Sequence, residues 1–164
     1  MGISMTEQQK QSISKPLGRI VSGVYILTAS HNGASAAMMA SWVMQAGFEP
    51  PTLAIAIAKS RPIVQIIRES RKLALSIVPA DDKTLMKFYA RYKGETDPFV
   101  GVATQPAPSG IPILSDALGY LDCTLKQTID IGTDHDLYIA EVIDGASFRE
   151  GTAFAHQRGN GFHY

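Results

Sequence analysis

Cysteine is almost missing: Cys123 is the only one in 164 residues. That excludes an internal disulfide framework and any metal centre built from several thiolates. It also fits a reducing compartment, so a cytoplasmic location is expected. Net charge is lacking as well. Fifteen Lys and Arg balance fifteen Asp and Glu, which leaves no general field for nucleic acid or an anionic membrane, and any phosphate must be met by a local cluster. No run approaches the roughly 20 apolar residues of a membrane span, and the polar N-terminus has no apolar secretion segment. Two catalytic signatures are absent: G-x-S-x-G, against a serine hydrolase, and G-x-G-x-x-G, against a dinucleotide-binding βαβ unit. Of four histidines, His156 and His163 lie near each other, but nothing is spaced to complete a metal site with them.

What is present suffices for one globular domain, with 45% hydrophobic residues and a length that buries a sizeable core. Residues 1–15 read as a polar N-terminal tail, frayed or forming a short amphipathic helix that ends at Pro16, and the domain proper spans 16–164. From Val21 to Ser30 the chain is β-branched and aromatic. The His31-Asn32-Gly33 punctuation then turns it into a second arm, Ala34 to Gln45, built of Ala, Ser and Met around Trp42. Thr52 to Ala58 alternates large and small apolar residues, as a strand facing a core on one side does. A helix is expected from Lys59-Ser60-Arg61-Pro62 to Ser70, a strand from Leu73 to Val78, and a helix from Lys83 to Tyr92 capped by Asp81 or Asp82. Residues 93–112, with four prolines, are too long for a simple connection and read as a loop that covers something. Strands are expected at Gly119–Asp130, Leu137–Asp144 and Thr152–His156. Six or seven strands, two helices and no βαβ rhythm make the protein mainly β with flanking helices, a closed antiparallel barrel that the helices plug or flank.

Chemistry has few places to sit. Lys59, Ser60 and Arg61 put two cations and a hydroxyl where the free N–H groups of a helix start point outward. This is an anion site in principle, although solvation of a surface turn explains it equally well. Met38-Met39-Ala40-Ser41 offer small and polarizable side chains that suit a flat aromatic ligand but also fill irregular cores, and an indole such as Trp42 on that strand is more often core filler than a ligand platform. Cys123 falls inside an apolar strand, which argues against a nucleophile.

The order of these pieces is more specific than any one of them. LGRIVSGVYILTA, MASWVMQAGFEPPTLAIAIAK, PILSDALGYLDCTL, TDHDLYIAEVIDG and HQRGNGFHY resemble, over Leu17 to Tyr164, the flavin reductase-like family of FMN-binding split barrels. The chain is most similar to the flavin reductase module at the C-terminus of flavodiiron proteins. The resemblance implies an antiparallel, Greek-key type split β-barrel, homodimeric, with FMN at the interface and NADH or NADPH as electron donor. By the same resemblance Met39, Ala40, Ser41 and Trp42 run along the flavin, with Ser41 meeting phosphate or ribityl. Lys59, Ser60 and Arg61 form the phosphate-side turn, Phe88 and Arg91 lie on a helix approaching the cofactor, and His135 lies near the nicotinamide. One departure stands out: the glycine that precedes Asp-His in the family is Thr133 here, with Gly132 one place earlier. That departure motivates an alternative, an FMN-binding electron carrier with little NAD(P)H activity that serves a partner protein.

Overall fold

The structure, a computed structural model, describes residues 4–94 and 96–163. Parts of the expected tail, of the 93–112 loop and of the C-terminal string lie outside the described residues. Among the described residues there are three helices, α1 (Glu7–Gly18), α2 (Ile63–Ser70) and α3 (Thr84–Arg91). The strands are β1 (Ser22–Gly23), β2 (Tyr25–His31), β3 (Ala34–Ala40), β4 (Val43–Phe48), β5 (Pro51–Ala58), β6 (Lys72–Ile77), β7 (Thr104–Pro106), β8 (Pro112–Leu114), β9 (Gly119–Asp130), β10 (His135–Ser147) and β11 (Ala155–His156).

Seven strands make one antiparallel sheet in the order β3-β2-β6-β9-β10-β5-β4. Its two edge strands, β3 and β4, are consecutive in sequence and joined only by Ser41 and Trp42. Six inter-strand steps of about 4.8 Å would hold the edges of a flat sheet about 29 Å apart. Three Cα steps reach no more than about 11 Å. The sheet must therefore curl into a barrel. Because β3 and β4 do not pair with each other, the barrel is split and not closed as the strand count alone suggests.

Local chemistry accounts for the elements that carry the site. Asn32 and Gly33 both adopt left-handed backbone (φ 49° and 81°), the geometry of a two-residue hairpin whose twist matches its strands. On β5, Leu53, Ile55 and Ile57 point into the barrel, where they meet Leu27, Leu75 and Tyr138 and the α2 side chains Ile63, Val64 and Ile67. Helix α2 thus plugs the barrel with its apolar stripe. A second core forms outside, where Val24, Ile26 and Ala37 pack against Leu85 and Tyr89 of α3. A third gathers Ala74, Ala107, Ile111 and Ile113. Strands β2 and β6 are covered on both faces, which explains why Ile26 to Ala29 and Leu73 to Ser76 are buried without alternation. The polar members of these runs are satisfied: Thr28 Oγ1 donates to the Pro112 carbonyl at 2.7 Å, and Ser76 Oγ accepts from the Leu114 N–H at 3.0 Å.

Several expectations change. The N-terminal helix passes through Pro16 to Gly18. The hydrogen bond that proline cannot donate falls in an exposed last turn, where water replaces it cheaply. The expected strand Ala34–Gln45 is broken at Ser41 and Trp42, so these two lie in the link between the edges and not on a strand. The expected cap of α3 is divided: Asp82 Oδ1 accepts from the Thr84 N–H at 2.8 Å, whereas Asp81 pairs with Arg149 at 3.1 Å. Strand β7, inside 93–112, pairs with β8, which begins at its last residue, Pro112.

Candidate functional site

Three segments meet at one end of the barrel. Ala56 donates its N–H to the Trp42 carbonyl at 3.0 Å, and Ala58, at the end of β5, lies opposite His135 at the start of β10. The β3–β4 link, the turn after β5 and the turn before β10 are thereby neighbours. Trp42 and His135, 93 positions apart in sequence, bring their rings to 4.8 Å between centroids with a tilt of 44°. Arg158, from the C-terminal segment, sets its guanidinium carbon 5.2 Å from the centre of the same indole, a cation–π distance. That segment is tied down by Arg158 N–H donating to the Gly18 carbonyl and Gly161 N–H donating to the Ser14 carbonyl, both at 2.9 Å.

His135 is held on both sides. Its Nδ1 is 2.9 Å from Asp134 Oδ1, and its backbone N–H donates to Thr133 Oγ1 at 3.2 Å. With Nδ1–H donating to the carboxylate, the neutral ring presents Nε2 as an acceptor. The imidazole is only 13% exposed. The same hydrogen bond to His135 holds the Asp134 carboxyl below its ordinary range.

Lys59 is engaged in the same corner. Its Nζ donates to Asp130 Oδ1 at 2.9 Å and stands 3.5 Å from Asp136 Oδ1, while Arg68 of α2 binds the other oxygen of Asp136 at 3.0 Å. The Lys59 N–H donates to the Asp134 carbonyl at 3.0 Å. Asp136 is buried, pointing inward on β10 in alternation with Tyr138 and Ala140. Burial raises the Tyr138 hydroxyl above its ordinary value.

Beside this corner a hollow of about 140 Å³ opens between β3, the start of α2 and the end of α3. Ser35, Met38, Arg61, Tyr92 and Lys93 are among the residues lining it. Two cations thus face small side chains of an edge strand. On its outer side β3 has no strand partner, so alternate N–H and C=O groups remain available to a ligand. A larger hollow, about 560 Å³, lies at the β2–β3 hairpin between His31, Lys72 and Ser109, away from the ring pair.

The structure distributes the expected site residues unevenly. It joins Trp42 with His135 and places Arg61 in the hollow with Met38. Ser41 is nearly buried next to Trp42, and Ala40 is buried in the first core. Met39 and Phe88 pack against the second core, where Phe88 stacks on Tyr92 at 6.4 Å between centroids. Ser60 is exposed in its turn, and Arg91 is exposed in the last turn of α3. Neither Lys59 nor Arg91 lines the hollow. Residues missed from sequence are Lys93, Asp134, Asp136 and Arg158. The signals were slight: an acidic residue at an inward strand position for Asp136, and a guanidinium in the HQRGNGFHY string for Arg158. Cys123 is inert as expected, since burial pushes its thiol up to about 12.

The sequence pattern of the flavin reductase like domain matches residues 17–161. Diflavin flavoprotein A 1 of a Synechocystis species is 36% identical over 165 residues, an alignment covering 99% of this chain and 29% of that protein. The chain therefore spans less than a third of that curated relative. Among solved structures, flavin reductase PheA2 is 25% identical, with a TM-score of 0.78 over 94% of this chain and 95% of that one. The NADH:FAD oxidoreductase SgcE6 of Streptomyces globisporus has the same fold, with a TM-score of 0.83 at 19% identity over 97% of this chain and 94% of that one. The curled, split antiparallel sheet, its plugging helix and the match over nearly the whole chain agree: this chain belongs to the flavin reductase-like domain family and is a flavin-related oxidoreductase domain.

Proposed function

We propose that the domain is an NAD(P)H-dependent flavin reductase that takes FMN as its flavin. The observation that carries this reading is the unpaired outer edge of β3, with Arg61 and Lys93 in the adjoining hollow and the Trp42–His135 pair at the same end of the barrel. The residues fit the group. A hollow of about 140 Å³ is smaller than the ~300–1,000 Å³ usual for a whole small-molecule pocket. It suits a phosphate and part of a ribityl chain, leaving a planar ring to lie along the open strand edge. Flavin, when bound, supplies the hydride-accepting chemistry.

The chain's own groups bind and orient. Arg61 meets the phosphate with a charge-assisted hydrogen bond, Lys93 adds a second positive charge, and Ser60 sits at the exposed start of the turn. Free N–H groups on the open edge of β3 would hold the flavin's carbonyls, and Ser41 and Trp42 would flank it. His135, its tautomer fixed by Asp134, orients the nicotinamide without acting as an obligate base. Holding two rings at reacting distance is worth several kcal/mol of barrier, up to about 7–11 kcal/mol in the best-oriented cases.

In the same reading the domain works in the cytoplasm as a homodimer and passes electrons to an acceptor protein, with no role for nucleic acid or membrane. Among the described residues no helix is long and apolar enough to cross a membrane. The β4 edge carries Met44 and Phe48, 63% and 89% exposed, an apolar margin that a second copy would cover; sedimentation at two concentrations measures this.

Titration with FMN tests the site. Arg61→Ala is expected to weaken binding about tenfold, since losing one charge-assisted bond costs at least about 1.4 kcal/mol. An unchanged affinity removes Arg61 from the site. Thr133 favours one second reading: its hydroxyl bridges the N–H and carbonyl of His135 and so shapes the turn on the nicotinamide side. A holoprotein that photoreduces normally yet oxidises NADH and NADPH at background rates would be an FMN electron carrier instead.

A further inference from the structure

We propose that Lys59 is a positioning residue, a strut that locks the Lys59–Arg61 turn to the β9–β10 turn and thereby sets the spacing between the phosphate end of the site and the Trp42–His135 pair. This rests on the flavin reading above for what the two ends hold, but the strut itself is a matter of contacts within the chain.

Lys59 touches three successive parts of the β9–β10 turn. Its N–H reaches the Asp134 carbonyl, and its Nζ reaches Asp130 at the end of β9 and approaches Asp136 at the start of β10. Asp130 also accepts the Gly132 N–H at 2.8 Å, so the carboxylate that binds Lys59 braces the turn carrying Asp134 and His135. On the opposite side Asp136 holds Arg68 of α2, the helix that Arg61 and Pro62 lead into. The charges in this group close on themselves: two cations, Lys59 and Arg68, face two carboxylates, Asp130 and Asp136. No positive charge is left over for a phosphate, whereas Arg61 has no ion-pair partner among the described residues and lines the hollow.

Magnitude points the same way. Asp130 is exposed and Lys59 partly so, and ion pairs so open to water add little to stability. The contact is too weak to hold the fold together but well placed to fix one turn against another. Asp136 is different. At 4% exposure it depends on Lys59 and Arg68 for compensation, and removing one of them leaves a buried carboxylate half-paired.

FMN and riboflavin distinguish a strut from a ligand, because they differ only by the phosphate. We expect Lys59→Met to leave the ratio of riboflavin to FMN dissociation constants within about twofold of wild type, whereas Arg61→Ala lowers it about tenfold. A tenfold fall in Lys59→Met would make Lys59 a phosphate ligand and overturn the strut. The second arm needs no flavin. The His135 imidazole proton resonance, assigned by its loss in His135→Gln, is expected to shift in Lys59→Met and in the same direction in Asp130→Asn, a surface change that leaves the core intact. Lys59→Arg is expected to restore it. An unmoved resonance in both variants overturns the proposal. Wild-type protein that binds neither flavin overturns the FMN reading instead, and the resonance then decides the strut alone.

Discussion

His135 illustrates how much of a site is made by single contacts. Its ring is fixed by Asp134 on the adjacent position and by Trp42 from across the barrel, and only the first is visible in the sequence, as an Asp-His pair. Trp42 read more readily as core filler than as a platform, because most indoles on an apolar strand fill a core; its half-buried place against an imidazole 93 positions away is a product of the curl. Lys59 read as part of an anion site because it precedes a helix start, and the family resemblance placed it on the phosphate side. Its actual partners come from β9 and β10, at separations no local pattern reports. The Lys59 ammonium is held above its ordinary 10.5, chiefly by its hydrogen bond to Asp130, and that bond holds the Asp130 carboxyl below its ordinary 3.8. A raised lysine adds stability that is present below 10.5 and lost as pH climbs through its folded value. A lowered aspartate adds stability that is present above 3.8 and lost as pH falls through its folded value. The difference in melting temperature between wild type and Lys59→Met is therefore expected to be a plateau at neutral pH that closes at both the acid and the alkaline ends. A difference that stays constant through both limbs would deny the pairing.

Among elements, α2 links core and site. Its stripe Ile63, Val64 and Ile67 fills the barrel, while the turn before it carries Arg61. The helix was legible from Pro62 in its first turn, with a plugging or a flanking place open to it; that this stripe enters the barrel was decided by strands distant in sequence. Ile67 is fully buried, so Ile67→Ala is expected to cost about 2–5 kcal/mol by removing methyl groups and leaving a cavity. Urea unfolding measures this, and a loss below 1 kcal/mol would mean that the helix is not anchored through Ile67. The 93–112 segment was the hardest element to read. Its prolines remove ladder donors and suppress strand signals, yet Ala107 and Ile111, with Ile113 just beyond it, fold back to cover the outer face of the sheet beside Ala74. That face is buried only because this arm lies on it.

At the scale of the whole molecule, FMN at 100 times its dissociation constant is expected to add roughly 2.7 kcal/mol, raising the melting temperature by about 5–10 °C for a domain of this size. Differential scanning with and without FMN checks it, and an unshifted transition would leave a split barrel whose flavin site has decayed. The amino-acid sequence by itself determined the class of molecule: alternation on β5, the Asn32-Gly33 turn and the long strands β9 and β10 are local signals that bias an antiparallel sheet wherever they occur. Its charge balance and single cysteine likewise needed no fold to be read. Only the tertiary structure decided that the barrel is split where the strand count suggested closure, because β3 and β4 are held near each other by a two-residue link and yet do not pair. From that one constraint follow the open edge of β3, the meeting of Trp42 with His135, and the inward carboxylate that Lys59 and Arg68 share. Each joins residues whose proximity depends on closure and not on sequence spacing.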